Sequence, residues 1–417
     1  MPRRAGLAAS VVLAAGLCWA VGATANSPDG GVRLGDVALF QACTDNEGCE
    51  LWKSDGFAPG TELVKDINAT GSSSSSADEF TRIGDIVLFN ACTSDGCELW
   101  KSDGTDPNTE QVKDILDGPG SSGPDDLGSV GGVAFFGAEG DAAGYELWKS
   151  NGTDAGTKRV KDINPGPDGS NFDDFTAFRG EIFFGGSDAN HGQELWRSDG
   201  TKRGTQRVRD IYKGSNSSVP EDFVKLGNHL YFSASTAEKG TELWRTDGTR
   251  RGTRLVASIR PGANGSQPAD LTRLGDRIYF AADDGKHGSE LWASNGTERG
   301  TKLVRNIAEG STGSFPDTFA ALDGRLYFDA HDVQTGVELF RTNGKRKGTK
   351  LVTDLVDGTI GSNACGQIRV GDLVLFQADD GSGVGDELWR TDGTEPGTQL
   401  VENINPGANG SSPLGSC

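Results

Sequence analysis

The tripeptide Glu-Leu-Trp recurs at residues 50–52, 98–100, 146–148, 194–196, 242–244, 290–292 and 387–389, with Glu338-Leu339-Phe340 as a variant, at intervals of 48 residues six times and then 49. A fixed period of that size marks one supersecondary unit copied in tandem, each copy burying its apolar surface against its neighbours. Eight copies fill nearly all of the 417-residue chain.

The copy from Ala269 to Pro316 shows what one unit builds. Asp270 to Leu274 is short and half apolar, Gly275-Asp276 is a two-residue turn, and Arg277 to Ala282 is aromatic and β-branched, so the first two strands form a hairpin. A polar loop, Asp283 to Ser289, leads to a third strand, Glu290 to Ser294. The turn Asn295-Gly296-Thr297, in which Asn and Gly are expected to supply positive φ angles, leads to a fourth, Lys302 to Ile307. Strand side chains alternate, so Leu291 and Trp292 face opposite sides of the sheet, as do Leu303 and Val304. Sheets that are apolar on both faces need a neighbour on each side, and radial closure supplies one while leaving only short edges. The expected fold is all-β: an eight-bladed β-propeller with one four-stranded antiparallel blade per repeat.

The ends of the chain are expected to close that ring. The first copy begins late, near Val32 to Asp36, and the tail Pro413 to Cys417 aligns with Pro268 to Thr272, the start of a first strand. The tail would complete blade one and bring Cys417 beside Cys365. A disulfide there contributes about 4 kcal/mol in the loop-entropy picture, against about 2 for a hairpin link such as Cys43 to Cys49.

The recurring Glu-Leu-Trp-Lys/Arg-Ser/Thr-Asp/Asn-Gly-Thr, as at 194–201 and 242–249, resembles the bacterial ELWxxDGT repeat family, sometimes labelled hyalin-like. The resemblance covers residues 26–417. It implies an exported, often cell-surface protein with a propeller fold, and no established activity, ligand or catalytic residue. Phe57, where the motif has Thr, and Phe340 and Lys345 in the seventh repeat depart from the pattern.

Arg3 and Arg4, an apolar run from Leu7 to Val21 and Ala23-Thr24-Ala25 read as a signal peptide over 1–25, with a single domain over 26–417. A lipid anchor would use Cys18, but Leu17 stands where a lipobox wants a small residue. No run is long enough to span a membrane. The expected location is secreted, extracellular or periplasmic, with attachment to the cell surface as a variant. The net charge of −20 disfavours nucleic acid and favours cations and basic surfaces. In an oxidising compartment the six of seven cysteines that would remain after cleavage suggest disulfides, and the pairs expected are Cys43 with Cys49, Cys92 with Cys97 and Cys365 with Cys417.

Residues present in every copy encode the blade, and function belongs to residues found in one or two. The core positions are Trp52, Trp100, Trp148, Trp196, Trp244, Trp292, Phe340 and Trp389. The glutamates Glu50, Glu98, Glu146, Glu194, Glu242, Glu290, Glu338 and Glu387 read as structural hydrogen-bonding groups or partners of a neighbouring blade's Lys or Arg. Loops between second and third strands are the ligand candidates. Their carboxylates Asp188, Asp283, Asp284, Asp332, Asp379 and Asp380 suit calcium, although no EF-hand or nonapeptide spacing occurs.

Only four His are present, and no G-x-S-x-G, H-E-x-x-H or P-loop occurs, so no catalytic residue is expected. Eight blades also suggest quinone-cofactor dehydrogenases, but their docking motif places Trp last rather than first. The reading is a monomeric binding or scaffolding propeller, without cofactor unless calcium, for a protein, glycan or divalent cation. A carboxylate-based carbohydrate enzyme and a purely structural envelope or matrix protein are the alternatives. An enzyme should show raised carboxylates converging in a cleft, and a binding module a patch confined to a few blades.

Overall fold

A computed structural model describes residues 30–140, 144–407 and 410–414. The expected leader and Cys417 lie outside the described residues. The strands form eight separate four-stranded sheets, each antiparallel and in chain order. Blade four is representative, with strands Phe172–Phe178, Glu181–Asp188, Gly192–Ser198 and Gln206–Arg209. Its register pairs Phe184 with Trp196 and Gly185 with Leu195.

First strands of successive blades pack against one another all the way round, including blade eight against blade one. They therefore line the axis of a closed ring, an eight-bladed β-propeller. The expected strand boundaries of the blade starting at Ala269 hold to within two residues. Its fourth strand stops at Arg305, because the amides of Ile307 and Ala308 turn away to the Glu290 carboxylate. One turn assignment is corrected: Gly296 has φ +82, but Asn295 does not have positive φ. The Asn295 side chain instead accepts hydrogen bonds from the Thr297 amide and hydroxyl.

Alternation along the third strand explains why the ring must close. Leu195 packs into a cluster with Phe223, Phe232 and Trp244 of the next blade, whereas Trp196 packs with Phe135, Leu147 and Val160 of the previous one. Among the described residues there are eight apolar clusters, and each bridges two adjacent blades. Trp100, Trp196, Trp244, Phe340 and Trp389 are buried, and Trp52, Trp148 and Trp292 are partly buried in the same kind of gap.

A second interblade link sits at the rim. In six of the eight blades the basic residue that follows the motif aromatic donates to the turn glycine carbonyl of the next blade, as Lys53 does to Gly104 at 3.0 Å and Lys149 to Gly200 at 2.8 Å. Arg390 continues the series across the seam to Gly56, at 3.1 Å. There its guanidinium lies 4.3 Å from the centroid of the Phe57 ring, so the departure from the motif at Phe57 adds a cation–π contact at the closure.

The tail completes the seam. The Cys43 amide donates to Ser411, and the Leu414 amide to Gln41, extending the short first strand Val32–Leu34. Leu414 is buried among Phe40, Leu375 and Leu388. Cys43–Cys49 and Cys92–Cys97 are bonded across their turns. Cys365 is also disulfide-bonded.

Two stability effects follow, both measurable by chemical denaturation. Trp196→Ala empties one interblade gap and should cost about 3–5 kcal/mol. Leu414→Ala, at a chain end that can relax, should cost about 2 kcal/mol.

Candidate functional site

The repeated polar residues are consumed by the fold. Glu194, fully buried, accepts from the Ile211 and Tyr212 amides at 2.6 and 3.0 Å and from the Ser218 hydroxyl at 2.8 Å. It thereby ties the third strand to the connection that leaves its own blade. Burial pushes its carboxyl up to about 7 against the pull of those hydrogen bonds. Equivalent bonds are made by Glu50, Glu98, Glu290 and Glu387, so the glutamates act within their blades rather than as partners of a neighbour's Lys or Arg.

The Ser-Asp-Gly-Thr turn is equally engaged. Ser198 bonds Thr205 and accepts from the Gly200 amide, while Asp199 accepts from the amide and hydroxyl of Thr201.

The loop carboxylates are spread around the ring. Asp188 meets His191 at 2.8 Å and Arg207 at 3.4 Å, and Asp284 meets His287 at 3.0 Å. Asp283 pairs with Arg260 at 2.5 Å. Asp332, Asp379 and Asp380 accept from the amides of Gln334, Gly381 and Ser382 in their own turns. Among the described residues no three His, Cys, Asp or Glu side chains are grouped to hold a metal ion.

What the sequence reading missed lies where each first strand begins, at the mouth of the central channel. There a β-bulge interrupts the register, for example between Asp173 and Thr176 and between Glu221 and Val224. The bulged residues Glu79, Asp126, Asp174, Asp222, Asp270 and Thr318 all have φ between +48 and +60. A bulge re-aims a side chain, and Asp tolerates this left-handed conformation better than most residues.

The carboxylates are thereby turned along the ring towards the next blade. Glu79 accepts from the Leu127 amide at 3.2 Å, Asp126 from Asp174 at 3.3 Å, Asp174 from Phe223 at 2.9 Å and Asp222 from Asp270 at 2.8 Å. The relay stops at Asp270, which is 4% exposed and has one carboxylate oxygen buried without a partner. Beyond it, Thr318 donates to Asp329 at 2.6 Å.

Burial first, and neighbouring carboxylates second, push Asp126 up to about 8. Burial likewise takes Asp174 and Glu221 to about 7, and Asp329 to about 8 with Asp317 adding to it. Asp222 and Asp270 are raised further in the same direction. A recurrence of acidic residues at 126, 174, 222 and 270 is visible in the sequence, but reading these strands as regular hid its meaning.

The other non-repeating feature is apolar. Phe315, Val333 and Ile360 are 61%, 48% and 80% exposed. All three sit at one end of blade seven, the blade whose motif is irregular. Val333 lies in its second-to-third-strand turn, and the connections carrying Phe315 and Ile360 bracket it through the bonds Ser314–His331 and Val337–Gly361. Two clefts, of about 230 and 250 Å³, lie at the opposite end, around Arg245 and Thr297 and around Phe135 and Lys149, and include none of the channel-mouth acids.

No family model matches the chain, and no curated protein matches it. Among solved structures it is similar to a prolyl endopeptidase, with TM-score 0.54 and 12% identity over 78% of this chain and 49% of that one. It is also similar to a puromycin hydrolase, with TM-score 0.51 and 15% identity over 80% of this chain and 54% of that one. The chain spans about half the length of either, and the likeness concerns the fold.

Removing a motif carboxylate strands several buried donors at about 1–3 kcal/mol each. Glu194→Ala should therefore lose about 3 kcal/mol or more in urea titration, whereas exposed Asp199→Ala should lose less than half as much.

Proposed function

We propose that the chain is an exported, non-catalytic binding propeller of the ELWxxDGT kind that presents the channel-mouth end of its ring, centred on blade seven, to a protein or glycan partner. The carrying observation is the division of labour between repeated and unrepeated residues. Trp, Glu and the Ser-Asp-Gly-Thr turn are spent on packing and hydrogen bonding in blade after blade. The residues outside that pattern, Phe315, Val333 and Ile360, cluster at one end of one blade and face solvent. Loops on a rigid scaffold are where binding groups are usually placed, and apolar groups held in water mark contact surfaces. A net charge of −20 favours a basic partner surface. The disulfides suit an oxidising location outside the cytoplasm.

A second reading, a carboxylate-based carbohydrate enzyme, draws on the raised acids of the channel mouth. Those acids are buried and their oxygens are largely engaged by backbone amides, an arrangement better suited to holding blades than to reaching a substrate.

Binding of the purified chain to a glycan array and to immobilised envelope proteins tests the proposal. Phe315→Ser with Val333→Ser and Ile360→Ser should reduce capture at least about tenfold at unchanged melting temperature, the loss of about 1.4 kcal/mol. Leu400→Ser, exposed on a fourth strand, should not. Equal capture by both variants would remove blade seven as the binding surface, and turnover of a bound glycan would favour the enzyme.

A further inference from the structure

The channel mouth raises a question that binding at blade seven does not answer: what neutralises so many buried carboxylates. The Asp270 carboxyl lies in hydrogen-bond contact with that of Asp317. Facing it are Asp222 from the first strand of blade five, Glu221–Leu226, Asp317 from the first strand of blade seven, Asp317–Leu322, and Asp329 from the second strand of blade seven, Arg325–Asp332. The charged groups that act most strongly on Asp270 are thus acidic. The ion pairs formed among the described residues lie elsewhere, as in Lys65–Asp106, Arg197–Glu181 and Arg260–Asp283. With one Asp270 oxygen buried without a hydrogen-bond partner and a second carboxyl beside it, the cation that fits is the proton. Two carboxyls in contact cannot both be ionised without strong repulsion, and one shared proton turns that repulsion into a hydrogen bond.

We propose that the channel mouth is a proton-operated latch: a proton held between the Asp270 and Asp317 carboxyls, with buried Asp222 and Asp329 facing the pair, fastens blade six to seven, and its loss on alkalinisation loosens the ring there. The Asp270–Asp317 link joins two blades, so its ionisation acts on an interface that the closed fold requires. The first interface to loosen is the one between blades six and seven, where the carboxylate-to-amide relay is interrupted and the Asp270 oxygen has no other partner. This latch does not depend on what blade seven binds.

The direction follows from linkage. Asp222, Asp270 and Asp329 keep their protons in the folded chain to a higher pH than in the unfolded chain, where carboxyls titrate near about 4. Between about pH 4 and about pH 8 the folded state binds more protons, so stability falls as pH rises through that window.

The test is the melting temperature of the full chain at about pH 5 and about pH 9, with Asp270→Asn as the variant, since the amide keeps the shape and can donate to Asp317 without ionising. The wild type should melt several degrees lower at the higher pH. Asp270→Asn should match it at the lower pH and melt above it at the higher, with a smaller drop. Should that variant fail to fold, Asp329→Asn offers the same readout. Amide exchange of the wild type, corrected for its intrinsic pH dependence, should show protection lost first in Ala269–Leu274 and Asp317–Leu322. An identical drop in wild type and variant, a melting temperature that rises with pH, or protection unchanged in those two strands would overturn the latch.

Discussion

Each gap between blades is filled from both sides by one dipeptide, and the rest of the fold depends on that arrangement. Leu of the motif points forward into the next gap and Trp points back into the previous one, because adjacent residues of a strand lie on opposite faces. A sheet so constructed has no polar face to show to water. Eight of them in a row would leave two apolar ends, and closing the row removes both. The seam is then an ordinary gap, with the usual bond from Arg390 to Gly56, and has extra fastening from Leu414 of the tail and from Arg390 over Phe57.

Polar groups follow the same economy. The motif Glu is buried, but it works inside its own blade, receiving the amides that end the fourth strand. It stops that strand and sets the path of the connection to the next blade. The turn that follows the Trp is held by side chains accepting from its own backbone. Repetition of these devices gives eight nearly equal blades, and equality is what lets a ring close without strain accumulating at one joint.

Against that background the channel mouth stands out as a place where buried acids look to the next blade for their partners. Bulges turn a column of acids along the ring, and four of them find an amide in the neighbouring blade. The column changes character at blade seven, where Thr318 replaces the acid and Asp329 enters from the second strand. The same blade carries Phe340 in place of Trp and the exposed Phe315, Val333 and Ile360. Beside Phe57 at the seam, blade seven thus departs from the repeat in its core, at the channel mouth and on its surface.

Much of this was legible in the chain alone. The 48-residue period, the alternation in Leu291-Trp292 and the Gly turns determined four strands per copy, apolar on both faces, and hence a ring. They did so because these are local rules that each copy obeys without reference to the others. Cysteines flanking equivalent turns, Cys43 with Cys49 and Cys92 with Cys97, were readable for the same reason. The acidic relay was not. A bulge changes which way a side chain points by a single residue of register, and whether Asp174 meets an amide of blade five, 49 residues on, depends on how two neighbouring blades are pressed together. Nor were the partners of the loop aspartates legible: folding sets Asp188 and Asp284 against their own histidines and Asp283 against Arg260. Sequence determined the blade, and only the closed ring decided which of its charges meet.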